Sequence, residues 1–355
     1  MILEENNQKL KALRERGHAV ILGIETSCDE TAAAVIRDGR IVCSNVLYTQ
    51  IEIHAKYGGV VPEIASRNHV EKLPYIVKSA LTQAGMELED IDALAVTEGP
   101  GLVGALLTGV SYAKALAYAA EKPLIAVNHI EGHISANYIS HPDLQPPFIC
   151  LIVSGGHTNL VKVEDYGKYK ILGTTRDDAA GEAFDKVARI LGLPYPGGPN
   201  LQKLAEQGDE NAYEFPRAFR GETHLDFSFS GLKTAVVNMV HRMEQKGEAF
   251  RREDIAASFQ KAAVNTLVRN TFEAARREGI SRVVLAGGVS ANAMLREQAQ
   301  GHKDCEIYLP KLEYCTDNAA MIASAAYYRL MDGCEAAPFS LNADPSLELI
   351  STQGA

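Results

Sequence analysis

The chain has 355 residues, of which 46% are hydrophobic and 23% charged, an ordinary composition for a globular protein large enough for two domains. No apolar run reaches the 18 or so residues of a membrane-spanning helix, so we expect no association with a membrane. The formal net charge of −10 argues against a protein that binds nucleic acid over a broad basic surface.

The first 18 residues are polar and of mixed charge, without the apolar centre of a secretory signal. Leu10 and Leu13 have the spacing of a short helical stripe, but we expect this N-terminal extension to be a frayed tail. The six cysteines include no Cys-x-x-Cys pair, which disfavours a zinc ribbon or a disulfide framework. We therefore expect reduced thiols and a cytoplasmic protein.

The first lobe, residues 19–128, is predicted to begin with antiparallel strands. Apolar runs at 19–25 and 31–36 flank a polar turn, and a third strand is predicted at 41–49 after the turn signal Asp38-Gly39. Four further segments are then predicted: a helix within 62–84, a strand at 93–97, a helix within 102–120 and a strand at 124–128.

The second lobe, residues 129–317, repeats this order of elements. Its predicted segments are strands at 148–153, 157–163 and near 169–174, helices within 179–191 and 254–278, a strand at 282–286, a helix from 291, and a strand at 306–309. We predict a duplicated α/β fold with mixed sheets, helices on both sheet faces and a ligand cleft between the two lobes. The last helix, within 318–345, is expected to return to the first lobe.

His129 and His133 directly follow the predicted strand at 124–128. If this segment is helical, residues four apart share one face, and two imidazoles there can bind one metal ion. The pair alone is a weak signal, because such a spacing also arises by chance. A zincin peptidase would need Glu directly after the first His, whereas Glu131 comes one residue later.

Two glycine-rich turns are candidates for binding an anion. Ser154-Gly155-Gly156 offers backbone N–H groups at close range, although an ordinary hairpin turn is equally compatible with it. Residues 287–292 follow a strand and precede a helix, where the N–H groups and the helix dipole favour a nucleotide. The segment at 287–292 matches neither the Walker motif nor the dinucleotide fingerprint.

Six motifs follow one another along the chain: GIETSCDET at 23–31, NHIEGH at 128–133, VSGGHT at 153–158, DFSFSGLK at 226–233, GGVSAN at 287–292 and TDNAA at 316–320. Over residues 19–345 the chain thereby resembles the TsaD/Kae/Gcp family of tRNA adenosine threonylcarbamoyltransferases. The resemblance implies the actin/hexokinase/Hsp70-like (ribonuclease H-like) fold. It also implies transfer of a threonylcarbamoyl group from threonylcarbamoyl-AMP to the exocyclic amine of the adenosine 3′ of the anticodon, in tRNAs that read ANN codons.

The resemblance implies one divalent metal per subunit, bound by His129, His133 and Asp317, of which the last is also predicted to cap the following helix. Fe²⁺ is favoured by the family, and Zn²⁺ suits the same ligands. Asp29 and Glu30 are expected to position the acceptor amine or to act as general base, although Asp29 is also a typical turn residue.

Substrate contacts are implied for two groups of residues. The first group is the turn at the end of a strand: Ile152, Val153, Ser154, Gly155 and Gly156. The second group is expected to hold the nucleoside: Asp185, Gly198 and Asn292. Many relatives have Asp where this chain has Gln202, whose neutral amide would make a weaker ribose contact.

The resemblance further implies that the chain works with tRNA, a TsaB-like paralogue and a TsaE-like ATPase. The predicted helix after Gly99 carries small residues at 101, 104, 105, 108 and 109, which would let a partner helix approach, although internal packing is equally compatible. Three other functions are open: an ATPase or kinase of the same fold, a metallopeptidase, and a non-catalytic subunit. The last is disfavoured because all three metal residues are present.

Overall fold

The computed structural model describes residues 2–219 and 224–349. The first ten elements are helix α1 (Ile2–Arg16), strands β1 (Val20–Glu25), β2 (Glu30–Arg37) and β3 (Ile41–Thr49), helices α2 (Ile51–Ala55) and α3 (Pro62–Ala84), strand β4 (Ala93–Gly99), helix α4 (Val103–Ala119), strand β5 (Leu124–Asn128) and helix α5 (His129–Ser140). The remaining ones are β6 (Phe148–Val153), β7 (Thr158–Asp165), β8 (Lys168–Thr174), α6 (Ala180–Ile190), α7 (Gly197–Ala205), α8 (Ser230–Lys246), α9 (Arg252–Glu278), β9 (Arg282–Ala286), α10 (Ala293–Gln300), β10 (Glu306–Tyr308) and α11 (Ala319–Asp332).

The chain forms two compact units, each with one five-stranded sheet. Unit 1 comprises Met1–Pro146, Glu164–Tyr169 and Thr316–Ala355, and unit 2 comprises Pro147–Val163 and Lys170–Cys315. The predicted boundary after residue 128 therefore differs from the observed division, in which 129–146 belongs to unit 1. The physical reason is that α5 packs extensively against α11, which itself lies on the first sheet.

The sheet of unit 1 has the strand order β3-β2-β1-β4-β5. Strands β1, β2 and β3 pair antiparallel, whereas β4 and β5 join them in parallel. Leu22 and Ile24 pack in one core with residues of α3 and α4. Gly23 points to the opposite face, where an added Cβ would lie 2.6 Å from the backbone oxygen of Ala319, so glycine here lets α11 approach the sheet closely.

The sheet of unit 2 has the order β10-β9-β6-β7-β8, which repeats the plan of the first sheet. Strands β6 and β7 are antiparallel, and β9 and β10 extend the sheet in parallel. The central strand β6 is buried along its whole length, which explains its continuous apolar sequence. The repeated strand order confirms the predicted two-lobe α/β fold with mixed sheets.

The N-terminal extension is a helix, so the expected frayed tail is wrong. Leu10 and Leu13 are buried, and α1 contacts α11. The helix is also fixed by polar contacts: Arg16 pairs with Asp92 at 2.6 Å, and the side chain of Asn7 accepts a hydrogen bond from a backbone N–H at 2.7 Å. Two leucines are a weak stripe in isolation, and the helix is stabilised by tertiary packing that the local sequence does not reveal.

The small residues at the start of α4 pack within unit 1. An added Cβ at Gly104 would lie 3.2 Å from the Cβ of Ser66 in α3, and one at Gly109 would lie 2.3 Å from the hydroxyl of Thr26. The close approach predicted from this spacing is therefore made by the chain's own elements. None of the helices in the described parts of the chain has the length and hydropathy needed to cross a bilayer.

Candidate metal and substrate sites

Two histidines and one aspartate converge in unit 1. The side chain of Asn128 caps α5 by accepting a hydrogen bond from the backbone N–H of Ile130 at 2.8 Å, so His129 opens the helix and His133 follows one turn later on the same face. The Nε2 atoms of His129 and His133 lie 3.4 and 3.3 Å from Oδ1 of Asp317. Ligand atoms of the three residues all lie within 4.8 Å of one another.

Asp317 is not the cap of α11, contrary to the sequence prediction. The cap is Asn318, whose Oδ1 accepts a hydrogen bond from the backbone N–H of Met321 at 3.0 Å. A side-chain amide serves here as well as a carboxylate would, and Asp317 turns instead toward the histidines. Burial raises the pKa of Asp317, but the imidazoles of His129 and His133 outweigh burial and hold that pKa far below its usual range.

The three residues fit a bound divalent metal ion. His133 is fully buried, yet neither ring nitrogen makes a well-aligned hydrogen bond with a described residue. Leaving buried polar atoms unpaired costs roughly 1–3 kcal/mol each, so an ion at this position would satisfy an otherwise unfavourable arrangement. Two imidazoles and one carboxylate also form the kind of three-ligand set that binds a divalent ion and leaves positions open for substrate.

Glu25 is a further candidate site residue, which the sequence analysis did not single out. It is fully buried at the end of β1, where it accepts hydrogen bonds from the Thr97 hydroxyl and, at 2.6 Å, from the backbone N–H of Ser27. Its Oε2 lies 3.3 Å from Nδ1 of His129. A carboxylate at Nδ1 keeps the proton on that nitrogen, so the lone pair of Nε2 faces the metal position.

We expect Glu25→Gln to weaken metal affinity by roughly 10- to 100-fold, the usual effect of losing a carboxylate behind a ligating histidine. The amide is neutral and no longer fixes the tautomer of His129 as strongly. Calorimetric titration of the metal-stripped protein with Zn²⁺ measures the effect. Glu98→Gln, on the neighbouring strand β4, is the matched control, and equal affinities in the two variants would contradict the assignment.

Asp29 lies in the turn between β1 and β2 in the same unit, and Glu30 is the first residue of β2. Asp29 is buried, and its Oδ2 has no hydrogen-bond partner among the described residues. The hydroxyl of Thr49 donates to Oε1 of Glu30 at 3.3 Å. Burial first, then the negative charges of Asp29 and Asp317, raise the pKa of Glu30 well above its usual value. The effect of Asp317 shows that this acidic pair lies near the metal residues.

The predicted substrate turn, residues 152–156, connects β6 and β7 in unit 2. It is a tight turn in which the backbone N–H of Ser154 donates to the oxygen of His157 at 2.9 Å, and the N–H of His157 donates to Oγ of Ser154 at 3.2 Å. No described heavy atom lies within 4 Å of an ideal Cβ at Gly155 or Gly156. The space beside both glycines is therefore free for a ligand.

Two glycines outside the turn allow other segments to approach it. The backbone N–H of Gly181 in α6 donates to the oxygen of Ser154 at 3.2 Å, and an added Cβ would lie 2.5 Å from that oxygen. Gly287 has a φ of 85° and comes equally close to the oxygen of Val153. A left-handed φ combined with this proximity explains why glycine is required at position 287. Gly181 was missed because a glycine inside a helical pattern has no distinctive local signal.

The residues predicted to hold the nucleoside lie in a connected chain of contacts in unit 2. The backbone N–H of Gly198 donates to Oδ1 of Asp185 at 3.1 Å. One helical turn later in α7, the side-chain oxygen of Gln202 accepts a hydrogen bond from the N–H of Ala293 at 3.0 Å, at the start of α10. The structure therefore brings the start of α7 to the predicted residue Asp185 and its middle to Ala293, which follows the predicted residue Asn292.

Asn292 has a structural task in addition to the one predicted. Its Oδ1 caps α10 by accepting from the N–H of Leu295 at 3.0 Å, and its Nδ2 donates to the side-chain oxygen of Gln260 in α9 at 2.8 Å. The side chain is thereby fixed in one orientation. A contact with a base or ribose would use the second hydrogen of its amide.

Solved structures with a similar fold include HypF from T. kodakarensis, with a TM-score of 0.59 and 14% identity over 88% of this chain and 48% of that one. Full-length HypF in its phosphate- and nucleotide-bound form gives a TM-score of 0.57 at 15% identity, covering 88% and 46%. Such distant likeness concerns the fold alone. With the duplicated sheets, it places the chain in the actin/hexokinase class of two-lobe α/β proteins.

Within that class, the model of the family described as "TsaD: tRNA N6-adenosine threonylcarbamoyltransferase" matches residues 41–324. The chain belongs to the TsaD family. A relative from Caldicellulosiruptor saccharolyticus is 57% identical over 335 residues, covering 94% of this chain and 99% of the relative. One from Clostridium perfringens strain SM101 is 56% identical over 333 residues, covering 93% and 98%. Both are named tRNA N6-adenosine threonylcarbamoyltransferase, and the predicted function in tRNA modification is confirmed.

Proposed function

We propose that this tRNA-modifying transferase takes its acyl group from threonylcarbamoyl-AMP, in the cytoplasm, and acts on the adenosine 3′ of the anticodon in tRNAs that read ANN codons. The observation that carries the proposal is the group formed by His129, His133 and Asp317, in which the buried ring nitrogens of His133 make no well-aligned hydrogen bond with a described residue. An ATPase or sugar kinase of the same fold has no need of such a group.

The reaction joins the exocyclic amine of adenosine to the carbonyl carbon of a mixed carbamic-phosphoric anhydride. A C–N bond forms, the bond from the carbonyl carbon to the phosphate oxygen breaks, and AMP leaves with that electron pair. A divalent ion held by His129, His133 and Asp317, Fe²⁺ in first place or Zn²⁺, would polarise the carbonyl or phosphate oxygens as a Lewis acid. We propose one such ion per subunit.

Asp29 is proposed to accept the proton that the attacking amine loses. Its Oδ2 is buried and lacks a partner among the described residues, so an acceptor is available to a substrate N–H. The raised pKa of Glu30 favours its protonated form, which cannot accept a proton from the amine, so Asp29 is the proposed base of the pair.

The residues of unit 2 are proposed to bind the donor. The N–H groups of the 152–156 turn can donate to an anionic group, and the free space beside Gly155 and Gly156 lets that group come close to the backbone. Asp185, Gly198, Gln202 and Asn292 are proposed to contact the nucleoside. Hydrogen bonds between Gly198 and Asp185, from Asn292 to Gln260 and from Ala293 to Gln202 hold them in place before the donor arrives.

The direct test incubates the chain and its partner proteins with threonylcarbamoyl-AMP and unmodified tRNA, followed by mass analysis of the nucleosides. We expect modified adenosine and stoichiometric AMP. Continuous ATP turnover by the isolated chain without tRNA would favour the kinase-like alternative. Cleavage of peptides by the metal-loaded chain would favour the peptidase.

We further propose that a TsaB-like paralogue docks on α4 and that a TsaE-like ATPase joins the complex. Val103 and Leu107 lie four residues apart on α4 and are 53% and 39% exposed, so they offer an apolar strip on one helix face. On α3, Val70 and Tyr75 are 64% and 75% exposed. Apolar surface of this kind is typical of a protein contact.

Replacing Val103 and Leu107 together by Glu is expected to weaken the heterodimer by roughly a hundredfold, because two apolar contacts are replaced by buried charges. Sedimentation equilibrium with the purified paralogue measures the loss. A change at Gly104 is a poorer test, since any side chain there presses on Ser66 within the chain. Leu312→Glu, at a residue of unit 2 that is 66% exposed, is the control, and its equal effect would contradict the assignment.

A further inference from the structure

The charge of the chain is divided unequally between its two units. Unit 1 has 14 Lys and Arg against 25 Asp and Glu, whereas unit 2 has 21 against 20. The net charge of −10 is thus contributed by unit 1, and unit 2 is close to neutral. A tRNA is a polyanion. The negative charge of unit 1 repels its phosphate backbone, whereas the nearly neutral unit 2 does not. Phosphate contacts are therefore to be sought on unit 2.

Unit 2 has a groove of about 430 Å³ between α9, the end of α10 and the segment that contains Arg217. The residues that line it are Arg217, Asn265, Thr266, Val268, Arg269, Gln298 and His302, whose carbon atoms form more of the groove surface than their nitrogen and oxygen atoms do. No carboxylate is among these described lining residues. Two guanidinium groups, an imidazole and several amide or hydroxyl donors match phosphate and sugar oxygens.

The two arginines of the groove are available for an anion. Arg217 has no hydrogen bond or ion pair with a described residue, and Arg269 only donates to the side-chain oxygen of Asn270 at 3.1 Å. Further along the same helix α9, Arg276 and Arg277 both pair with Glu273, at 2.7 and 2.6 Å. The structure thus provides paired and unpaired arginines in one helix.

The imidazole of His302 is held in a fixed orientation at the groove. It stacks on Phe272, with ring centroids 3.5 Å apart and an angle of 11° between the planes. Stacking on a side chain of α9 leaves its ring nitrogens at the edge, where they can donate to an oxygen. A fixed donor loses less entropy on binding than a mobile one.

The groove lies along α9 and α10, and the nucleoside residue Asn292 caps the start of α10. Gln260 of α9 binds Asn292 at the start of α10, and Arg269 is nine residues further along α9, a rise of about 13 Å. Gln298 is six residues beyond Asn292, a rise of about 9 Å. Successive phosphates of a strand rise by about 3.4 Å along a helix axis, so roughly three to four nucleotides span these distances.

We propose that this groove binds the phosphate backbone of the tRNA substrate and positions it for modification. The proposal rests on the tRNA-modifying function and on the nucleoside residues assigned above. It predicts contacts that are electrostatic and independent of sequence, because phosphates carry no base identity. The chain then binds tRNA in spite of its net negative charge, through a local rather than a broad basic surface.

The test compares two double variants with the same change in charge, Arg217→Gln/Arg269→Gln in the groove and Arg276→Gln/Arg277→Gln on the paired site. Affinity of the assembled enzyme for unmodified tRNA is measured by fluorescence anisotropy over a series of salt concentrations. The groove variant is expected to lose at least about tenfold in affinity, and its salt slope to fall by about two. The paired-site variant should remain within about twofold of the parent.

Kinetics separate this proposal from the function on which it rests. The groove variant should raise the KM for tRNA, recover kcat at saturating tRNA and bind threonylcarbamoyl-AMP normally, with an unchanged melting temperature. Equal losses in both double variants would show an effect of net charge only and overturn the proposal. The proposal would also be overturned if the groove variant bound tRNA as tightly as the parent, whether or not the variant still assembled with its protein partner. Absence of transfer by the parent enzyme would instead refute the proposed donor.

Discussion

His133→Ala is expected to abolish metal binding and to reduce threonylcarbamoyl transfer by at least about a hundredfold while the chain stays folded. The residue supplies one of three protein ligands, and loss of a ligand is more severe than the 10- to 100-fold effect of losing an outer partner. The ring nitrogens of His133 make no well-aligned hydrogen bond with described residues, so the substitution removes few of the polar contacts that stabilise unit 1.

Elemental analysis of the purified variant and the mass assay on tRNA measure the two effects. His54→Ala is the matched control, because His54 is also fully buried in unit 1 but lies in α2, outside the metal group. It creates a cavity of the same size and should keep the metal. Full metal occupancy in His133→Ala, or equal metal loss in both variants, would exclude the assigned ligand.

The fold was predictable because its signals are local. The continuous apolar runs of β1 and β6 identify central strands, and their repetition in the same order with helices between them identifies the duplicated sheet. The spacing of His129 and His133 likewise requires only that α5 be helical. Such features depend on residues that are close together in the sequence, so each can be recognised from a single segment.

Glu25 was not predictable, because its role depends on strand order. It ends β1, and Thr97 lies near the end of β4 and His129 directly after β5. These three strands are parallel neighbours, so their carboxyl ends meet at one edge of the sheet. Only the pairing of strands about 100 residues apart brings this carboxylate to the imidazole, and no short pattern encodes it.

The errors in the sequence analysis have the same origin. Leu10 and Leu13 are buried in a helix that packs on α11, which is formed more than 300 residues later. The division of the chain was placed too early for a similar reason, since α5 is assigned to unit 1 by its contact with α11. Asp317 and Asn318 are both good capping residues, and only the geometry distinguishes the cap from the ligand.

Asp29→Asn is expected to lower the rate of transfer by about 10²- to 10⁴-fold, the usual contribution of a general base. The amide has the same shape but cannot accept a proton from the amine. Glu30→Gln should stay within about threefold of the parent, because the raised pKa favours the protonated form of Glu30 and Gln is a neutral analogue of that form. Single-turnover rates with preloaded donor measure both, with metal content checked in each variant.

Stability against pH provides an independent measure of the state of Glu30. A carboxyl whose pKa is raised in the folded chain binds a proton more tightly there than in the unfolded chain, so its burial destabilises the fold above the ordinary pKa of 4.5. Glu30→Gln should therefore melt at a higher temperature than the parent at pH 8, and the difference should shrink toward pH 4. Asp29→Asn removes a negative charge that raises the pKa of Glu30, so at pH 8 it should bring the melting temperature closer to that of Glu30→Gln. A large loss of activity in Glu30→Gln, together with full activity in Asp29→Asn, would reverse the roles of the two carboxyl groups.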